Sequence, residues 1–415
     1  MLAGYFHDGD MINENLRNLF SNKDIKVEPI YDENDKKTED NKMIVNFVGF
    51  ITDNKNRTYV SFPKHFSVNN LQNDARLIFN CIQAHRQRNP SLYFGKFGMK
   101  IYDSSYPFAF FYNIYDYFNK YGLYRKIETK IKSNSGGKIN WKSTINKGRK
   151  FIINNNYIPF PIYYNNKQYL YNFVTKCMIF VIDYTIDTFP FLVNKKKTGE
   201  PFPNDNLFLK EENKSIIIHN LRKIDSITFK DHEKKLINNL ILFFLSLKKG
   251  GKFYLKHYNF SIIWENMVEK YLDRYFQGVD TNKNNRLIFS QDRNKKYKFK
   301  KTTFHPNLAN KKQSIQPDHY YEDEENRYIF DAKYYNQVLG INYKQVSYVF
   351  FLRDYVGNKS TNISKKTYSS LILPFEKRKT KIHFKMNPRF SKLFEDMIIG
   401  EEYLDIREVI KAYLD

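Results

Sequence analysis

The stretch Ile315–Tyr335, IQPDHYYEDEENRYIFDAKYY, constrains this chain more than any other. Two runs of β-forming residues, Ser314–Tyr321 and Arg327–Tyr335, flank the polar segment Glu322–Asn326, a pattern suited to a hairpin. Side chains alternate along a strand, so Asp331 and Lys333 share a face with Ile329, while Tyr328 and Phe330 point the other way. If the two strands pair, Asp318, which follows Pro317, lies beside them on that face. Two carboxylates and one ammonium then converge.

Such a trio suits metal-assisted phosphodiester hydrolysis. Mg²⁺ takes carboxylates together with water and phosphate oxygens. It acidifies bound water and offsets charge developing at phosphorus. A lysine beside it orients the attacking water or helps deprotonate it, and the Ala332 carbonyl is a candidate further ligand. The bland alternative is a solvated hairpin with a chance D-x-K, a common triplet. Against it, acidic groups are scarce in a chain of net charge +24, yet they concentrate here.

Pro317-Asp318 followed by Asp331-Ala332-Lys333 resembles the PD-(D/E)xK nuclease superfamily. The form D-A-K-Y-Y, ending in Tyr334 and Tyr335, is similar to the LlaJI-type restriction endonucleases and the related McrC nuclease subunits. The resemblance implies an α/β nuclease core, a mixed sheet in the order αβββαβ, within an α+β chain. It implies Mg²⁺ on Asp318, Asp331 and Ala332, with Lys333 positioning or activating water. Superfamily members often draw another acidic group from a helix before the sheet. The Trp264-Glu265 pair in the amphipathic stretch Phe260–Phe276 resembles that pattern, which makes Glu265 the candidate. A family-like Gly-Thr does not precede it; Lys256-His257-Tyr258 stands there instead. Gln345 and Tyr348, in the helix-compatible run 342–354, match positions that contact metal-bound water or the scissile-strand phosphate. Their plain alternatives are an exposed helix carboxylate, a solvent-facing glutamine and a core tyrosine.

At 415 residues the chain is expected to hold two or three domains. Residues 1–110 read as a β-rich module, built on a hairpin of Met43–Thr52 and Arg57–Phe62; the first 42 residues read as surface loop. The string FVGFI followed by FPKHF is similar to LlaJI-type and McrC-type N-terminal regions. Residues 111–250 read as a mixed helical region for DNA or partner recognition, carrying a basic hairpin over Tyr124–Ile152. Residues 251–415 read as the nuclease domain, closing in terminal helices over Leu393–Leu414.

The basic excess points to an anionic partner, here double-stranded DNA, because lysines gain affinity by releasing phosphate counterions. Enrichment of Lys, Asn, Ile, Tyr and Phe together is also how an AT-rich genome biases codons, which accounts for part of that excess. Candidate DNA contacts are Lys138, Trp141 and Lys142 on the hairpin, where Gly137–Ile145 also looks like a LlaJI-family string, and Lys295, Lys296 and Lys298 before the motif. Their alternatives are a solvated ribbon with Trp141 in the core, and a mobile charged loop.

Cys81 and Cys177 lack CxxC spacing and read as buried thiols in a reducing compartment. The start MLAGYFHDGD has no basic n-region, and no apolar run approaches about 18 residues, so a soluble cytoplasmic protein is expected. No GxxxxGK[ST], HxxxH, HxH or GxSxG pattern occurs, which argues against nucleotide hydrolysis, a histidine-based metal site and a serine nucleophile in this chain.

Three functions follow. The first is a Mg²⁺-dependent restriction endonuclease with a companion methyltransferase, acting as a homodimer if each strand needs its own active site. The second is a McrC-like subunit that cuts only with a McrB-like NTPase. The third is a DNA-binding adaptor with a decayed nuclease fold, against which the intact Asp318, Asp331 and Lys333 weigh.

Overall fold

A computed structural model of the chain describes residues 2–12, 14–31, 37–93, 98, 100–133, 136–153, 156–170, 173–203, 208, 210–247, 252–292, 296–355 and 365–415. The chain forms two compact units, residues 1–105 with 251–415, and residues 106–250. The first unit is discontinuous because the strand Tyr254–His257 pairs antiparallel with both Val48–Thr52 and Tyr102–Ser104. The N-terminal and C-terminal regions, read from the sequence as separate domains, therefore share one unit.

The first sheet of that unit runs in the order Leu2–His7, Thr58–Phe62, Val48–Thr52, Tyr254–His257, Tyr102–Ser104. Its hairpin forms with a shorter first arm than expected, Val48–Thr52, while Met43–Val45 belongs to the separate strand Lys37–Val45. Asp53 accepts from the backbone N–H groups of Lys55 and Arg57, and Asn56 takes the left-handed conformation at φ 57°. The first residues are not loop, however. Leu2–His7 is an edge strand parallel to Thr58–Phe62, and Lys37–Val45 pairs with Ile25–Tyr31. The polar sequence KTEDNKMIV of Lys37–Val45 disguises that strand.

The second sheet carries the motif, in the order His319–Glu322, Asn326–Ala332, Lys366–Phe375, Ile398–Asp405, Lys379–Lys385. The first pair is antiparallel and the next two are parallel. Asp323 closes the hairpin by accepting from Glu325 and Asn326 N–H groups. Alternation holds along the motif strand. Ile329 packs with Tyr320, Tyr348 and Leu352, whereas Tyr328 and Phe330 pack against Phe276, Tyr297 and Phe299. Each such buried side chain stabilises the sheet by about 1.5–3 kcal/mol.

Two features differ from the αβββαβ order expected. Arg286–Phe289 pairs with Phe276–Asp280 in a separate two-stranded sheet. Its expected place is taken by the chain around 300–304, where Lys300 and Phe304 exchange backbone hydrogen bonds with Tyr320 and Ile315. Residues 393–414 are also not all helical. Ile398–Asp405 is a sheet strand, and only Ile406–Leu414, capped by Asp405, is helix. Glu401 and Glu402 concealed it. Both are buried, Glu401 against His383 and the Tyr403 hydroxyl, Glu402 accepting from Leu287 N–H and the Thr380 hydroxyl.

The second unit packs the helices Phe108–Tyr121, Phe173–Thr188, Lys214–Asp225 and Asp231–Ser246 around Phe111, Phe180, Phe208 and Phe244. The basic hairpin is not formed. Lys126–Ser133 and Lys138–Ile139 each pair with Tyr163–Leu170, which lies between them. Trp141–Lys147 is a helix because the Asn140 side chain caps it, accepting from Ser143 N–H. Among the described residues no helix is long and apolar enough to cross a membrane.

Candidate active site

His319 pairs across the hairpin with Phe330, so the residues just beyond, Asp318 and Asp331, meet on the opposite face. Asp318 Oδ2 accepts from the Ala332 N–H at 3.2 Å. Asp331 is fully buried, and neither of its oxygens takes a hydrogen bond of ordinary geometry. What faces it is charge: the Lys333 ammonium in direct contact and the Lys344 ammonium at 3.6 Å. Burial first, and the adjacent Asp318 carboxyl second, raise the Asp331 pKa above the usual range, with Lys333 pulling it back. The Lys333 backbone is pinned by its N–H to the Ile372 carbonyl at 2.8 Å.

The same carbonyl accepts from the Trp264 indole at 3.3 Å, which locks the Phe260–Tyr275 helix to the motif strand. Glu265, the next residue, is joined to the site through Lys301, whose ammonium lies 2.7 Å from Glu265 Oε1 and 3.5 Å from Asp318 Oδ1. Burial opposes that charge, but Glu265 and Asp318 outweigh it and raise the Lys301 pKa.

The Tyr343–Leu352 helix supplies the opposite wall. Asn342 caps it, and the Asn342 N–H donates to His383 Nε2 at 2.9 Å, leaving the His383 Nδ1 proton for Glu401 at 2.9 Å. Gln345 does not face the carboxylates. It is fully buried, and its amide nitrogen donates to the Ile329 carbonyl and the Ser369 hydroxyl, both at 2.9 Å, tying helix to sheet. Tyr348 donates to the Gln316 carbonyl at 2.6 Å. With Lys301, Asp318 and Lys344 it lines a cleft of about 260 Å³. Lys344 is thus the charged residue this helix brings to the cleft, beside Tyr348. It lies four residues before Tyr348 and shares its face, whereas Gln345 is about 100° around the helix.

The expected DNA contacts divide. Lys295 lies outside the described residues. Lys296 and Lys298 reach Asp323 and Asp273, at 3.9 and 3.4 Å. The aromatics interleaved with these lysines are core rather than loop, since Tyr297 and Phe299 are buried. On the second unit Lys138 and Lys142 are exposed, and Trp141 is 59% exposed, which removes its reading as core. His319 is fully buried with neither ring nitrogen hydrogen-bonded, and burial pushes its pKa down to about 3. Its ring lies on the face away from Asp318, as the alternation implied.

Among the described residues no three His, Cys, Asp or Glu side chains close on one another as a metal cage. Two adjacent carboxylates, one with its lone pairs unassigned, still fit Mg²⁺, which commonly takes one or two carboxylates and completes its shell with water and phosphate.

The sequence matches no protein-family model and no curated protein. Among solved structures it is similar to a chain of the Thermococcus gammatolerans assembly of McrB AAA+ hexamers with bound McrC, a refined half-complex from a tetradecameric assembly. The match covers 99% of this chain and 98% of that one, at 10% identity and a TM-score of 0.37. A likeness this remote decides neither family nor activity.

Proposed function

We propose that the chain is a Mg²⁺-dependent nuclease that hydrolyses DNA phosphodiester bonds, of the restriction type. The observation that carries this reading is the meeting of Asp318, Asp331 and Lys333 on one face of the mixed sheet. In it, Asp318 and Asp331 hold the cation, with the Ala332 carbonyl beside them. Mg²⁺, when bound, supplies an acidified water and charge neutralisation at phosphorus. Lys333 orients that water and takes part in its deprotonation. Lys344 and Tyr348, on the far wall of the cleft, hold the scissile phosphate. Exposed Lys138, Trp141 and Lys142 of the second unit add DNA contacts that are independent of this chemistry.

The test is incubation of sequence-diverse plasmid DNA, methylated and unmethylated, with the purified chain and Mg²⁺. Cleavage that disappears with EDTA, and in Asp331→Asn and Lys333→Gln, supports the reading. No cleavage with any divalent cation, alone or with an added motor, favours a DNA-binding adaptor. The chain has no phosphate-loop motif, so an NTP-driven step would come from a separate chain. Cleavage only with a McrB-like NTPase and nucleotide would assign it the McrC-like role.

A further inference from the structure

The site is balanced without any metal. Three carboxylates, Glu265, Asp318 and Asp331, face three ammonium groups, Lys301, Lys333 and Lys344. Lys301 holds the most telling position, since its ammonium bridges carboxylates from two elements as a shared cation does. The backbone that carries it is fixed. Phe299 is buried and its N–H donates to Asp273 at 2.8 Å, and Lys300 exchanges backbone hydrogen bonds with Tyr320. The side chain is not so confined. It is 44% exposed and opens on the cleft that Lys344 and Tyr348 line from the other wall.

We propose that Lys301 is a built-in counter-cation: its ammonium neutralises Asp318, together with Glu265, until a divalent cation enters at Asp318 and Asp331, and then swings onto the DNA phosphate. This rests on the nuclease reading above and extends it to how the metal is recruited. Adding a divalent cation to a balanced site leaves two positive charges in excess, next to a displaced ammonium. A phosphodiester entering the cleft removes one of those charges and gives Lys301 a new partner. Metal and DNA therefore bind with positive coupling, each raising the affinity of the other by the same factor. Lys301 is a positioning residue in this scheme, acting through the cation and the phosphate.

Mn²⁺ binding to the full chain, followed by the electron paramagnetic resonance of the free ion, reads this without catalysis. It is measured with and without a random-sequence phosphorothioate duplex at low salt. The wild type binds Mn²⁺ weakly alone and about tenfold more tightly with the duplex. Lys301→Gln binds it about tenfold more tightly alone and loses most of the gain from DNA. Lys301→Arg, which keeps the charge, behaves as wild type. If Lys301→Gln leaves Mn²⁺ affinity unchanged or lowers it, while Asp331→Asn abolishes binding, Lys301 is only a structural ion pair and the metal site stands. If wild type and Asp331→Asn bind Mn²⁺ equally, with and without DNA, the metal site itself is refuted. Thermal melting of each variant shows that the comparison is made on folded protein.

Discussion

Two buried aspartate–lysine pairs among the described residues of the first unit are built in opposite ways. Asp24 with Lys256 is saturated. Its carboxylate accepts from the Ser21 N–H at 2.7 Å, the Ser21 hydroxyl at 2.8 Å, Lys256 at 2.7 Å and the Tyr258 hydroxyl at 2.9 Å. Asp331 with Lys333 is equally buried, but its oxygens meet only ammonium charge and a second carboxylate. A saturated carboxylate has nothing left to offer a ligand. An unsaturated one carries a standing cost, which persists where lone pairs must stay available. The contrast separates a buried ion pair that holds a fold from one left open to the proposed chemistry.

Removing the chemical pair should cost activity and little else. Asp331→Asn and Lys333→Gln are each expected to lower Mg²⁺-dependent cleavage by at least about 10²-fold. For Asp331→Asn, stability by urea titration should stay within about 1 kcal/mol of wild type, because that substitution also removes a charge held next to Asp318. A larger loss would mean that this pair, too, is structural.

Lys256→Met should do the reverse. It strands a fully buried carboxylate and is expected to cost about 3–5 kcal/mol of stability. Retention of full stability would erase the distinction between the pairs.

Acid sharpens the comparison from another side. Burial lowers the pKa of His85 to about 4, and of His257 and His319 to about 3. These groups are neutral in both states above the unfolded value, near 6.5, so stability is flat there. As pH falls below it, the unfolded chain takes up protons that the folded one refuses. Stability then declines by up to about 1.4 kcal/mol per pH unit for each histidine until the folded pKa is reached. His319→Leu should remove one such contribution from the melting profile between pH 6 and about 4, and leave cleavage at neutral pH intact. Loss of cleavage would make His319 part of the site.

The smallest effect belongs to the second unit. Lys138→Gln with Lys142→Gln should weaken DNA binding a few-fold and lower the salt slope by about 2, without changing Mn²⁺ affinity. An unchanged slope would show that this surface does not meet phosphate.

What was legible follows from range. Asp318, Asp331 and Lys333 could be placed together from the sequence because strand alternation and a turn are local. Lys301 could not. Its role depends on residues 300–304 pairing with 315–320, and on a helix carboxylate 36 residues away. Gln345 turns to the sheet rather than the cleft, which a helical stretch does not reveal for any one of its polar residues. The strand Ile398–Asp405 reads as helix because Glu401 and Glu402 look solvent-bound until their partners on other strands are known. The basic hairpin failed at Asn140, where a capping side chain turned an apparent ribbon into a helix.

The return of Tyr254–His257 to the middle of the first sheet has a practical outcome for anyone dissecting the molecule. A fragment starting at residue 251 would carry that strand with both edges bare, a template for aggregation. During synthesis the first hundred residues must wait, with a gap in their sheet, until the ribosome has made everything up to residue 257, by which time the intervening helices can already have folded. Deleting the helical insertion and rejoining residue 105 to residue 252 through a short linker is the surgery that respects this order, and it should yield a folded product where simple truncation yields none.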